Sequence, residues 1–183
     1  MKVISGKYKG KKLNGYDLLG TRPTMDRVKE SVFAMLQDYI KDSTILDLYS
    51  GSGNLGIEAI SNGAKYAYLV DNNLNAIKVI NSNLKELNID NAYVYKDDAS
   101  LMLSSFIKQG IKFDIIFLDP PYKTNELDKV LTIINDNISL LNDNALIVCE
   151  TDICIDYLKY DKLITYKSKK YGQKSVNILK IKQ

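Results

Sequence analysis

The spacing of apolar positions changes several times along the chain, and each change marks an element. From Met25 onward Val28, Val32, Met35, Leu36, Tyr39 and Ile40 recur at the spacing of an amphipathic helix, with Thr24 placed to cap it. TILDLY (44–49) then begins an alternation of short apolar runs with helix-period segments. YAYLV (66–70), AYVYK (92–96), FDIIFL (113–118) and ALIVCE (145–150) read as strands, and segments such as LNAIKVINSNLKEL (74–87) and LDKVLTIINDNI (127–138) read as the helices between them. Apolar strands joined by amphipathic helices specify an α/β fold whose parallel sheet is covered on both faces. Two segments have a different pattern. VISG (3–6) and YKGKKL (8–13) flank a glycine-containing turn and predict a short basic hairpin, while KSVNILKIK (174–182) alternates and predicts an antiparallel strand. No repeat, low-complexity tract or long linker interrupts the middle of the chain, which reads as one unit.

Ligands of such sheets bind beyond the carboxyl ends of the strands, so the residues there carry the chemistry. The first strand ends in LDLYSGSGNLG (46–56), where Gly51, Gly53 and Gly56 spell G-x-G-x-x-G beside a helix start. A dinucleotide would satisfy that loop as well. Asp47, four residues before Gly51, changes the expectation, because a carboxylate there repels a pyrophosphate and attracts an ammonium. Asp71 ends the second strand 18 residues beyond Gly53, close to the roughly 20 expected of an acid that chelates ribose hydroxyls. The third strand ends in Asp97, Asp98 and Ala99, where a carboxylate suits an adenine amino group. Each acid taken singly is equally well explained as a turn or a helix cap. In register they describe a site for a cationic adenosine compound, and S-adenosylmethionine fits that description.

The fourth strand ends in FLDPPY (117–122), which places Asp119, Pro120, Pro121 and Tyr122 where the reaction is expected. Prolines lack N–H donors and hold the backbone stiffly, leaving the Pro120 carbonyl as one acceptor and Asp119 as a second. Tyr122 offers a flat face for a base. Accepting both N–H bonds of an exocyclic amine disfavours its planarity and directs its lone pair at the methyl group. A sulfonium is already an activated electrophile, so neither a metal nor a histidine is needed and placement supplies much of the rate.

Composition agrees with that chemistry. The 183 residues include no histidine, which excludes Ser-His-Asp and Cys-His schemes and histidine-ligated zinc. Cys149 and Cys154 have no second pair to complete a metal site and are expected to be reduced packing residues. No apolar run reaches membrane-spanning length and the start lacks an apolar leader, so a cytoplasmic protein with no membrane partner and no metal is expected. The net charge of +3 hides a segregation: residues 1–30 carry 8 basic and 3 acidic groups, residues 159–183 carry 8 and 1, and the middle carries 9 and 18. Basic ends fit a polyanion, though solvated termini of a lysine-rich chain explain them equally. Only two of the 25 basic residues are arginine, Arg22 and Arg27, both within TRPTMDRVKE (21–30). A guanidinium grips phosphate or carboxylate bidentately, so one or both are expected to hold the phosphates of a polyanion or the donor's carboxylate.

ISGKYKGKKL (4–13), RPTMDRVKESVF (22–33), LDLYSGSGNLGIEA (46–59), DPPY (119–122) and KKYG (169–172) together resemble the RsmD family, the bacterial 16S rRNA (guanine(966)-N(2))-methyltransferases. Tyr49-Ser50 stands where the family usually has Phe-Ala, and Ala34 where it usually has Asn. The resemblance covers nearly the whole chain and implies a Rossmann-like class I methyltransferase, with a seven-stranded, mostly parallel sheet and an N-terminal β-hairpin extension. It divides the chain into an extension over 1–20 and a methyltransferase domain over 21–183. It implies S-adenosylmethionine as donor and N2 of one guanine in small-subunit rRNA, assembled or assembling, as acceptor. Asp47, Gly51 and Gly53 would line the donor site, Asp71 would hold the ribose, Asp98 and Ala99 the adenine, and Asp119, Pro120 and Tyr122 the guanine. Lys7, Lys9, Lys11, Lys12, Arg22, Arg27, Lys169 and Lys170 are the candidates for RNA contact, and a monomer is the expected state. The residues alone leave three alternatives open: methylation of another amine such as adenine N6, an NAD-dependent oxidoreductase, and a catalytically silent RNA-binding assembly factor.

Overall fold

A computed structural model describes residues 1–15, 23–121, 125–152 and 156–182, with only the backbone for 23–25. Among the described residues, five α-helices and seven strands follow in the order α1 (Pro23–Ile40), β1 (Thr44–Asp47), α2 (Asn54–Ser61), β2 (Tyr66–Asp71), α3 (Leu74–Glu86), β3 (Ala92–Lys96), α4 (Ala99–Gln109), β4 (Phe113–Leu118), α5 (Glu126–Asp136), β5 (Leu141–Thr151), β6 (Leu163–Tyr171) and β7 (Lys174–Ile181). The strands form one sheet in the order β3-β2-β1-β4-β5-β7-β6. Five are parallel, and β7 runs antiparallel between β5 and β6.

The expected two-sided cover is present. One face packs against α1, α2, α3 and the N-terminal segment; the other packs against α4 and α5. The stripe Val28, Val32, Phe33, Leu36 and Ile40 buries α1 on the first face, where the Phe33 ring stacks on Phe117 at 5.8 Å. Leu127, Val130, Leu131 and Ile134 do the same for α5 on the second. Each fully buried side chain of this kind contributes about 1.5–3 kcal/mol.

Two expectations need correction, and one strand of the expected seven was not singled out. The first helix begins at Pro23, so Thr24 lies inside its first turn and is not the cap; proline at the first helical position loses no hydrogen bond there. The Thr24 side chain is outside the described residues. At the N-terminus, residues 1–15 make a tight hairpin-like loop, but the antiparallel pairing is reduced to one bridge, Lys2 with Lys12. Glu58 on α2 holds the segment instead, its carboxylate accepting the N–H groups of Ile4 at 2.9 Å and Ser5 at 2.8 Å. Lys29 closes the same carboxylate at 2.7 Å and donates to the Lys2 carbonyl at 2.8 Å and to Asn54 Oδ1 at 2.7 Å. This buried ion pair fastens the N-terminal segment to two helices at once, with Val3 and Leu13 packed beneath it. Lastly, β6 (LITYKSKKY) has too few apolar positions to be read as a strand; it is the exposed edge of the sheet, and only Leu163 is buried.

Candidate active site at the strand ends

The loop between β1 and α2 is shaped by its glycines. Gly53 adopts φ of 79°, the left-handed region that a side chain resists, and Gly56 sits where an added Cβ would meet Leu69 Cδ2 at 2.1 Å. The helix therefore approaches β2 closely and starts at the sheet's carboxyl edge. Asp71 fixes the loop: its Oδ2 accepts the Gly51 N–H at 2.9 Å and its Oδ1 accepts the Asn73 N–H at 2.8 Å. Asn83 on α3 adds a bond to the Ser52 carbonyl at 2.9 Å.

Strand alternation aims a row of charged side chains to one side of this edge. Leu46, Leu48, Val70, Leu118 and Cys149 face the α4 and α5 layer, which turns Asp47, Asp71, Asp119 and Glu150 toward the α1–α3 side. The register pairs Asp47 with Leu69 and Phe117, and Phe117 with Val148. Asp71, Asp119 and Glu150, each two residues further on, therefore lie at one level across β2, β4 and β5, with Asp47 one pleat deeper. Val176 pairs with Glu150 and packs on the α1 side, so Lys174 on β7 points the same way. Lys174 Nζ lies 2.5 Å from Glu150 Oε1, both partly buried.

Burial governs the electrostatics of the row. Asp47 is 2 % exposed, and among the described residues its carboxylate accepts the Gly56 N–H at a long 3.3 Å. Desolvation pushes its pKa up to about 7; the Gly56 bond opposes the shift and Asp71 adds to it. Asp119 is also pushed up to about 7, first by burial, then by Glu150 and Asp47, while Lys174 pulls it down. Burial and the nearby Glu126 carboxylate raise the Tyr49 hydroxyl above its ordinary value as well.

The remaining candidates divide. Asp98 caps α4, its Oδ1 accepting the N–H groups of Ser100 at 2.9 Å and Leu101 at 3.2 Å, so the helix-cap reading of that acid holds in the structure. Ala99 is buried in the first turn of the same helix. Pro120 is buried and Pro121 exposed just beyond β4, while Tyr122 lies outside the described residues. The turn joining β6 to β7 brings Lys169 and Lys170 to the strand-end edge, but on opposite faces of the sheet: Lys169 Nζ reaches Ser31 Oγ at 3.1 Å on the α1 side, while the adjacent Lys170 faces away. Arg27 is exposed on the early turns of α1, which start at the same edge; Arg22 lies outside the described residues, as does Cys154, whereas Cys149 is free and buried. Lys7, Lys9, Lys11 and Lys12 are exposed on the N-terminal loop. Lys7 donates its backbone N–H to the Ser61 carbonyl at 2.8 Å, at the far end of α2, which places the tip of the loop about 12 Å along the helix from the glycine turn. Glu150 and Lys174 were not anticipated. The signal existed, since Glu150 ends its strand as Asp119 ends the neighbouring one. Among the described residues, no three His, Cys, Asp or Glu side chains are grouped to hold a metal ion, and no helix is long and apolar enough to cross a membrane.

This strand order, with acids at the ends of β1 and β2 and a glycine loop between, defines a class I methyltransferase fold. The Escherichia coli structure described as "Putative methyltransferase yhhF" superposes with a TM-score of 0.85 at 30% identity, covering 100% of this chain and 98% of that one. A Haemophilus influenzae structure described as "putative methylase HI0767" gives 0.81 at 29%, covering 100% and 98%. A Bacillus subtilis relative, "Putative rRNA methyltransferase YlbH", is 41% identical over 182 residues, 98% of each chain. The Escherichia coli "Ribosomal RNA small subunit methyltransferase D" is 35% identical over 153 residues, 84% of this chain and 75% of its own. Residues 1–180 match the family model described as "Conserved hypothetical protein 95". The chain belongs to that family, the RsmD methyltransferases.

Proposed function

We propose that this protein transfers a methyl group from S-adenosylmethionine to the exocyclic N2 amine of one guanine in 16S rRNA of the small ribosomal subunit. The observation that carries the reading is the row of Asp71, Asp47 and Asp119 on three adjacent strands, aimed to one side of the sheet edge. The donor supplies a methyl group on a positively charged sulfonium and carries an ammonium, two ribose hydroxyls and an adenine. Asp47 fits the ammonium, because a desolvated carboxylate with one long hydrogen bond gains most from a cation. Asp71 fits the ribose: each of its oxygens already accepts one backbone N–H and retains a second lone-pair site. Asp98 and Ala99 would border the adenine, with Asp98 free to do so only through what its capping role leaves.

On the acceptor side, Asp119 accepts one N–H of the substrate amine and the Pro120 carbonyl the other, with the Tyr122 ring as the stacking surface. As the N–C bond forms and the S–CH3 bond breaks, the sulfonium leaving as a neutral thioether, N2 sheds a proton, and a carboxylate held near neutral affinity by burial is suited to take it. The choice of small-subunit rRNA is supported by the names of the relatives, and that of guanine rests on the resemblance to the RsmD family. The extension over 1–20 and the lysines around the edge, with Arg22 and Arg27, would hold RNA phosphates.

The test is to incubate the protein with isotopically labelled S-adenosylmethionine and small subunits lacking the modification, digest the RNA, and identify labelled nucleosides by mass spectrometry. Label in N2-methylguanosine at a single site, lost with Asp119→Ala, is the expected result. Label in N6-methyladenosine would keep the chemistry and overturn the substrate. Donor binding without label on any nucleoside would favour a silent RNA-binding protein.

A further inference from the structure

We propose that Lys174 is a positioning residue of the acceptor site: its ammonium, held against Glu150, keeps the Asp119 carboxylate able to accept an N–H from the substrate amine. The inference rests on the methyl-transfer reading above. Four carboxylates, Asp71, Asp47, Asp119 and Glu150, stand on four adjacent strands and face one side of the sheet. Like charges so placed favour the protonated form of each poorly solvated member, and Asp119, between Asp47 and Glu150, is one of them. A protonated Asp119 presents an O–H to the amine in place of a lone pair, and a donor facing a donor cannot hold it. Among the described residues, the groups facing Asp119 from the packed elements are Asp47 on β1, Glu150 on β5 and Lys174 on β7. Of these, Lys174 alone is positive.

The bond between Lys174 and Glu150, at 2.5 Å, places the cation on the nearest of the repelling acids. Burial and the Glu150 charge work against ionisation of Asp119, and Lys174 works for it. A purely structural role, closing β5 onto β7 near its turn, would also explain the pair. The two roles differ in their response to pH. If Lys174 and Glu150 act on Asp119 through charge, removing either one must move the pH profile, in opposite directions. If they only join the strands, removing either one weakens the protein in the same way.

The experiment is single-turnover methylation of small subunits lacking the modification by the full-length protein, from pH 5.5 to 9, so that the methyl-transfer step itself is read. Lys174→Met should move the acid limb of the profile up by about one unit, a loss of roughly 5–10-fold at pH 6.5 that disappears near pH 9. Glu150→Gln should move the limb down, and Lys174→Arg should restore the wild-type profile. Donor affinity measured on the same variants should stay unchanged. Superposed profiles, or an equal loss at every pH in both variants, would overturn the inference while leaving methyl transfer standing. If the wild-type protein transfers no label, the methyl-transfer reading falls and this inference with it.

Discussion

Asp47 carries the largest conflict between stability and function in a single residue. It is buried, it is joined to the Gly56 N–H by one long bond, and its pKa is raised to about 7 by desolvation. A neutral amide of the same shape removes the conflict. Asp47→Asn should therefore stabilise the protein without ligand by about 1–3 kcal/mol at pH 8, measured by urea unfolding, and weaken S-adenosylmethionine binding at least tenfold by calorimetry. A variant that loses both stability and binding would show that Asp47 is held as a structural acceptor. Glu58 is the opposite case, a buried charge whose partners are complete. Lys29, the Ile4 and Ser5 N–H groups and the Ser5 hydroxyl all converge on it. Glu58→Gln leaves the Lys29 ammonium buried without its counter-charge and should cost about 3–5 kcal/mol, with faster proteolysis of the first 15 residues. Asp47, Asp71 and Asp119 were legible in the sequence because each is an acid at the end of an apolar run. The pairing of Glu58 with Lys29 was not, because the two lie on different helices 29 positions apart and nothing local in either helix marks a buried charge.

Among the elements, the five parallel strands were all legible, since each is an apolar run too short for a helix and bounded by turn residues. β6 was not, because an edge strand with both faces largely on solvent can be polar along almost its whole length. Its lysines have two separable roles. Lys167, Lys169 and Lys170 keep a free edge from pairing with another chain, as charges on edge strands do. The last two also lie at the active edge, whereas Lys7 and Lys9 lie near the far end of α2. If RNA is held at both places, neutralising either pair should flatten the salt dependence of RNA binding by roughly one unit of slope for each phosphate no longer neutralised. Turnover should separate them: Lys169→Gln with Lys170→Gln should lower kcat/KM on small subunits more than Lys7→Gln with Lys9→Gln. Equal effects, measured at one salt concentration, would mean that the distance from the reacting edge does not matter and that the lysines act only as diffuse charge.

The whole molecule joins these terms into a dependence of stability on pH that the donor should reverse. An acid whose folded pKa is raised, as at Asp47 from 3.8 to about 7, still holds its proton in the folded state when the unfolded chain has released it. Its contribution is therefore absent below about pH 4, grows more unfavourable as pH rises toward 7, and is constant above that, with an upper figure on the order of 4 kcal/mol. Asp119 acts in the same direction, while Asp128 and Asp161, whose pKa values are lowered by their own partners, act in the other. The difference between wild type and Asp47→Asn isolates the buried term. Thermal unfolding of the two should coincide near pH 4 and diverge through pH 7, with the variant the more stable. Donor binding demands the ionised form of Asp47, so it releases a proton at low pH and none at high pH. The affinity for S-adenosylmethionine should accordingly be roughly 30-fold tighter at pH 8 than at pH 5.5 in the wild type, and nearly flat in Asp47→Asn. A wild-type donor affinity that does not change between those two values would mean that Asp47 already holds its charge without the ligand, and that the cation of the donor is bound elsewhere along the row.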